Sequence, residues 1–247
     1  MTKASRLEGM FNPKSGKCIN IALDLGVFGD RSFSKGIEDL SNARPEIVKG
    51  KTDAIQLNPG GLKIYNSLNL DSDIAIALRL DVTNVYEARE IEYPWDTANV
   101  ATLRDAFAKN VNVVVLNLLN LDENSRLQEQ CIQNIQLIGA KCREENIPLM
   151  IEPLVMTAKP GAGSASVGDV EKIAALVRQA VELGADLIKV DPTNPMSDFG
   201  QIVEIASGVP VLVRGGGSVP ARELLERTRT AIDAGASGVV YGRNIVQ

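Results

Sequence analysis

The chain is 247 residues long, 45% apolar, and carries a formal net charge of −5. That length suits one barrel-sized domain, and the acidic balance without long Lys/Arg runs argues against a nucleic-acid-binding surface. The longest apolar stretches, such as Val111–Val115, fall far short of a membrane span, and the start (Met-Thr-Lys-Ala-Ser-Arg-Leu-Glu) has no signal-peptide core, so a cytoplasmic protein with no membrane partner is expected.

Eight short apolar runs alternate with helical stretches. The first, Cys18–Leu23, ends at Asp24, and Ala54–Leu57 and Ile74–Leu80 follow as the second and third. The irregular segment Asn84–Thr97, with Tyr86, Tyr93, Pro94 and Trp95, reads as a lid or a packing loop. A fourth run, Val111–Leu116, precedes the clearest helix, Leu121–Glu145, with Asn120 or Asp122 as N-cap and Leu127, Cys131, Ile135 and Ile138 at helical spacing. The fifth, Pro148–Ile151, ends at Glu152 and leads to the Gly/Ala/Ser-rich stretch Ala158–Gly168. A helix over Gly168–Leu183 stops at Gly184, and the sixth run is Leu187–Val190. Val211–Val213, a helix over Pro220–Ala234 that stops at Gly235, and Gly238–Tyr241 complete the series. Runs this apolar are what strands covered on both faces look like. The alternation predicts a single (β/α)8 TIM barrel over residues 1–247 with a short or missing last helix.

Composition also removes chemistry. There is no histidine, which excludes Ser-His-Asp and Cys-His catalysis and His-rich zinc sites. Cys18, Cys131 and Cys142 form no CxxC pair. The last two share one predicted helix at a separation of roughly 16 Å, too far for a disulfide, so buried free thiols are expected.

Lys189 stands near the carboxyl end of the sixth strand, in Ala185-Asp-Leu-Ile-Lys-Val-Asp. A buried ammonium is costly, so its pKa should fall unless it is paired, and a neutral amine at a barrel mouth can attack a carbonyl to form an imine. Position alone leaves a lysine paired with a carboxylate, or snorkelling from the rim, equally open. The turn Gly215, Gly216, Gly217, Ser218 follows the seventh strand, and Gly242 with Arg243 follows the eighth. Glycines let backbone N–H groups approach an anion, and these two loops are the recurrent phosphate site of such barrels. Asp24 and Glu152 end apolar strands where each can move a proton, pair with Lys189, or simply cap a loop. Asp191 also follows a strand, with its direction less defined. Lys51 and Lys63 read as solvated.

At these residues the chain resembles the class I aldolase superfamily that includes deoxyribose-phosphate, tagatose-bisphosphate and archaeal-type fructose-bisphosphate aldolases. The resemblance runs from about Ile21 to Gln247. It rests on Ile21-Ala-Leu-Asp, Leu57-Asn-Pro-Gly, the lysine motif, the Gly215–Gly217 turn and Gly238-Val-Val-Tyr-Gly-Arg-Asn-Ile-Val-Gln. It implies that Lys189 is the Schiff-base lysine, that Asp24 is the carboxylate near it, and that the glycine turn and Gly242-Arg243 hold the phosphate of a dihydroxyacetone-phosphate-type substrate. Leu25 stands where archaeal-type members carry His, Glu152 where they often carry an acid/base Tyr, and Arg214 where a small residue is common.

The expected activity is reversible aldol cleavage of a phosphorylated ketose. Lys189 forms the imine, Glu152 moves the hydroxyl proton and Asp24 orients the lysine. The scheme calls for a small phosphorylated carbonyl substrate, no cofactor and no metal, and the resemblance implies a homo-oligomer. A transaldolase- or thiolase-like transferase, a phosphosugar isomerase and a non-catalytic phosphosugar-binding protein stand as alternatives.

Overall fold

A computed structural model describes residues 1–29, 31–68, 73–87, 91–98, 111–122, 124–159 and 164–247. Its strands are β1 (Cys18–Ala22), β2 (Ala54–Leu57), β3 (Ala75–Arg79), β4 (Asp81–Thr83), β5 (Asp96–Ala98), β6 (Val113–Leu121), β7 (Leu149–Ala158), β8 (Ser164–Ser166), β9 (Leu187–Val190), β10 (Val211–Arg214) and β11 (Gly238–Tyr241). The described helices are α1 (Lys3–Glu8), α2 (Leu40–Lys49), α3 (Pro59–Ser67), α4 (Ser125–Glu144), α5 (Val170–Glu182), α6 (Phe199–Ile205), α7 (Ala221–Asp233) and α8 (Arg243–Val246).

Eight of the strands pair in parallel in the order β1, β2, β3, β6, β7, β9, β10, β11, and β11 returns to β1. This closed ring is the predicted (β/α)8 barrel, and each of the eight predicted strands is one of its staves. Helix boundaries follow from local chemistry. Asn58 caps α3 by accepting from Gly61 N at 2.7 Å, with Pro59 in the first turn, where its missing N–H costs nothing. Asp169 caps α5 through Lys172 N at 3.1 Å. Gly184 and Gly235, at φ of +93° and +103°, take the left-handed turn after α5 and α7.

Several predicted boundaries differ. The cap of α4 is Asn124, which accepts from Leu127 N at 3.0 Å, rather than Asn120 or Asp122. The apolar run of β6 continues through Leu121, so Asn120 belongs to the strand. Asp122 instead accepts from Ala158 N at the far end of β7. That strand is longer than predicted, because it passes Glu152 and Pro153 and pairs with β6 as far as Met156. Part of Asn84–Thr97 lies outside the described residues. Its far end, Asp96 and Thr97, belongs to an antiparallel ribbon with the strand just before it, in which Asp81 pairs with Ala98 and Thr83 with Asp96. Residues 160–163 of the Gly/Ala/Ser-rich stretch also lie outside, and the part after them forms β8 against β7. The last helix, α8, is short, as expected.

The barrel interior is filled by small and medium side chains, among them Ala54, Ala75, Ala77, Val113, Val115, Met150, Leu187 and Leu212. Met10, Leu7 and Phe11 pack beneath them, so the N-terminal segment closes one end. The larger apolar side chains of the alternate positions, such as Ile55, Leu78, Leu116 and Ile188, pack outward in the layer shared with the helices. Cys18, Cys131 and Cys142 are buried and free. Among the described residues no helix is long and apolar enough to cross a membrane.

Candidate active site

Side chains alternate across a strand, so each stave that starts with small apolar residues inside the barrel must continue inward two positions later. The sequence turns polar at that point on stave after stave. Ala54 is followed by Gln56, Ala77 by Arg79, Val115 by Asn117, Met150 by Glu152, Leu187 by Lys189, and Leu212 by Arg214. Asp24 follows Ala22 in the same way. The result is a charged layer across the carboxyl-terminal mouth of an apolar barrel.

Lys189 is buried, and its Nζ lies 2.9 Å from Glu152 Oε2 and donates to Gln56 Oε1 at 3.3 Å. Burial pushes its amine below the ordinary lysine value. Glu152 opposes that shift, while the Arg79 and Arg214 guanidinium groups add to it. Burial alone would raise the Glu152 carboxyl. Lys189, Arg79 and Arg214 together outweigh that and hold it well below the usual carboxylate range. Arg79 is the hub of the layer. Its Nε donates to Asp24 Oδ2 at 2.6 Å, one terminal nitrogen meets Asp81 Oδ1 at 2.8 Å and Asn117 Oδ1 at 3.0 Å, and the other contacts Glu152 Oε2.

Asp24 therefore does not bond Lys189 directly. Gln56 stands between them, donating to Asp24 Oδ2 at 2.7 Å while its own oxygen faces the lysine. Arg214 joins a second set, with Nε 3.2 Å from Glu152 Oε1 and NH1 3.3 Å from Asp191. Burial raises the Asp191 carboxyl above its ordinary value despite this contact. Tyr86 lines the same cavity as Arg214.

A small cavity of about 50 Å³ opens onto Lys189, Glu152, Gln56 and Asp24. Gly215, Gly216, Gly242 and Arg243 line it opposite the lysine, so the predicted amine and most of the predicted phosphate loop share one space. Gly217 faces a neighbouring cavity, and Ser218 is exposed and stays outside the lysine cavity. The turn is anchored by Asn244, whose side-chain nitrogen donates to the Gly215 and Gly217 carbonyls at 3.1 Å each. Its oxygen accepts from Val219 N at 2.9 Å. A Cβ on Gly215 would sit 2.7 Å from Asn244 Nδ2 and 2.9 Å from the Tyr241 ring, so this position requires glycine.

Phe28, Phe33 and Tyr86 form an aromatic triangle at the mouth, with ring centroids 4.7 to 5.8 Å apart, and the Arg243 guanidinium lies 5.0 Å from the Phe33 ring. Leu25 packs beside Gly242, its methyl carbons 3.5 Å from where a Cβ would stand, and supplies an apolar wall. Lys51 is exposed, on the turn before β2. Gln56, Arg79, Asn117 and Arg214 carry the charged layer and Asn244 anchors the glycine turn, and none of them is given a role by the sequence alone. The inward alternation would have found the first four. Asn244 has no comparable signal.

The fold is a closed parallel (β/α)8 barrel with a buried lysine and a glycine-arginine rim at its mouth, and comparison places it in a family. Residues 18–247 match the model of the DeoC/LacD family aldolases, and the chain belongs to that family. It is 32% identical over 237 residues to an uncharacterized aldolase of Saccharolobus solfataricus, covering 94% of this chain and 84% of that one. It is 31% identical over 245 residues to the 3-hydroxy-5-phosphonooxypentane-2,4-dione thiolase of Escherichia coli, covering 98% of this chain and 76% of the relative. Among solved structures it is similar to a Schiff-base-forming fructose-1,6-bisphosphate aldolase, with a TM-score of 0.76 at 23% identity, covering 99% of this chain and 93% of the other. At that identity the likeness concerns the fold.

Proposed function

We propose that the chain is a class I aldolase that cleaves a phosphorylated ketose reversibly through an imine on Lys189. The observation that supports this best is a lysine buried at a barrel mouth, its amine lowered by burial, facing a glycine-arginine rim across one cavity. In this reading the neutral Nζ attacks the ketone carbon of a dihydroxyacetone-phosphate-type substrate. The carbinolamine then loses water to give a protonated imine. The substrate phosphate rests on the Gly215–Gly216 backbone and beside Gly242 and Arg243.

Carbon–carbon cleavage sends the bonding pair into the imine, giving an enamine, while the hydroxyl on the leaving carbon gives up its proton and departs as an aldehyde. Glu152 takes that proton. In the free protein its three cationic neighbours make it a weak base. An ammonium has three N–H bonds and a protonated imine one, so imine formation loosens the Lys189 contact and raises the basicity of Glu152 at the step that needs it. Asp24 acts through Gln56, which fixes the approach of Lys189. The steps need no cofactor or metal.

Borohydride reduction in the presence of dihydroxyacetone phosphate, followed by peptide mass mapping, tests the reading. A reduced adduct on Lys189 is expected, and none on a folded protein that binds sugar phosphates would overturn it. A second reading, transfer of one cleavage fragment to a distinct acceptor, is suggested by the likeness to thiolase-named relatives. Turnover that requires two substrates would select it.

A further inference from the structure

The three cations around Glu152 are not equivalent. Arg79 bonds Oε2 directly and Lys189 Nζ lies 2.9 Å from the same oxygen, whereas Arg214 reaches Oε1 through Nε at 3.2 Å. Its other carboxylate contact, from NH1 to Asp191, is 3.3 Å long. Charge-assisted bonds between nitrogen and oxygen settle at about 2.7–2.9 Å, so Arg214 is the most loosely held of the three. It is also the most open, its side chain 16% exposed against 6% for Lys189 and 1% for Arg79.

Arg214 immediately precedes Gly215 and lines the lysine cavity together with Gly215, Gly216, Gly242 and Arg243. Two guanidinium groups therefore border one small space. Burial and then the Arg214 charge push the Arg243 guanidinium below its ordinary value, so the two repel across it. An anion seated on the glycine turn relieves that repulsion, and Arg214 meets it by giving up its long bond to Glu152.

We infer that Arg214 links phosphate to base: the substrate phosphate draws this guanidinium off Glu152, and the carboxylate so released becomes the stronger base. The inference rests on the reading of Lys189 as an imine-forming lysine and of Glu152 as the group that accepts the proton. In the free protein Lys189, Arg79 and Arg214 together hold the Glu152 carboxyl well below the usual carboxylate range. Imine formation loosens the first contact and phosphate binding removes the third, while Arg79 keeps the carboxylate in place. The exchange does not strand Asp191, because burial already raises its carboxyl and it can take up a proton. A ketone without phosphate leaves Glu152 restrained, so the turn discriminates by rate as well as by affinity.

The test is exchange of the hydrogen on the carbon next to the imine with deuterium from solvent, followed by NMR, for dihydroxyacetone with and without inorganic phosphite. In this exchange Glu152 takes a proton from that carbon, the C–H bonding pair moves into the imine to give an enamine, and a deuteron returns to the same carbon. No aldehyde is needed. Rates are divided by the imine fraction that borohydride traps on Lys189. Phosphite should raise the dihydroxyacetone rate at least about tenfold in the parent, saturably, toward that of dihydroxyacetone phosphate. In Arg214→Met, Glu152 is already free of the guanidinium. Its phosphite-free rate should exceed the parent's about threefold, and phosphite should add less than about twofold. The low-pH arm of its exchange profile should also move to higher pH. No phosphite effect in the parent, equal activation in R214M, or a phosphite-free rate in R214M no higher than the parent's would overturn the link. Trapping without exchange from either ketone would overturn it too, since Glu152 would then not be the base. The parent's response needs no variant, so a poorly folding R214M would leave the link open to refutation. Failure to trap Lys189 at all would instead overturn the reading on which it rests.

Discussion

Lys189 Nζ lies 2.9 Å from Glu152 Oε2, and that oxygen also receives an Arg79 guanidinium nitrogen. The carboxylate does not depend on the lysine alone. In Lys189→Met, Glu152 keeps Arg79 and Arg214, so no buried charge is stranded and the barrel should stay folded. Turnover and borohydride-trapped adduct should both vanish while the circular dichroism spectrum is retained. Parent-like turnover in the variant would rule out the imine.

Removing the acid has different consequences. Glu152→Gln takes one carboxylate from Arg79 and Arg214, but Arg79 keeps Asp24 and Asp81 and Arg214 keeps Asp191, so neither is stranded and the protein should stay folded with reduced stability. It also takes away the group that holds the Lys189 amine up against burial. The amine should therefore fall further, and the pH profile of imine trapping should move to lower pH. Cleavage should drop by about 10²-fold or more for want of a proton acceptor. Trapping that persists with a shifted profile while cleavage fails is the signature of this role, and a purely structural glutamate would not produce it.

The same residue sets a stability slope in acid. The Glu152 carboxyl is held below its ordinary value in the fold, so its contribution is fully present above about pH 4.3, the unfolded carboxyl value. It is lost as pH falls from there toward the folded value. Asp191, raised by burial, has the opposite sign: its contribution is present below about pH 3.9 and is lost as pH rises. Urea titrations of the parent and Glu152→Gln at pH 6, 5, 4 and 3 should give a stability gap that narrows with falling pH. A gap independent of pH would mean that Glu152 is not held ionised by its three cations.

The barrel was legible because its signals are local. Apolar runs such as Val111–Leu116 and Leu187–Val190, with Gly184 and Gly235 as stops, state their structure within a few residues. Lys189, Glu152 and Asp24 stood out as charges at the ends of such runs. Arg79 is just as buried, yet it lies inside a third strand that reads as Ile74–Leu80, and its partners come from three other staves. Its role is a property of closure, which brings Asp24, 55 residues away, and Glu152, 73 residues away, onto one side chain. The extension of β6 and β7 escaped for a related reason. Asn117, Asn120 and Pro153 interrupt the apolar pattern, and the strands persist because tertiary pairing from Asn117–Glu152 to Leu121–Met156 overrides local preference.

The last prediction concerns Asn244, which touches neither Lys189 nor its charged partners. Its side chain ties together the Gly215 and Gly217 carbonyls and the Val219 N–H, so it sets where the N–H groups of the glycine turn point. A turn that binds phosphate gains from being held in shape before the ligand arrives. Asn244→Ala should raise the KM for the phosphorylated substrate roughly tenfold with little change in kcat, because phosphate contact is shared by the bound and reacting states. An unphosphorylated ketone, which makes no use of the turn, should be handled equally by parent and variant. Steady-state kinetics with dihydroxyacetone phosphate and dihydroxyacetone would separate the cases. If both substrates lose kcat alike, Asn244 supports the barrel rim as a whole and the turn is not the phosphate site.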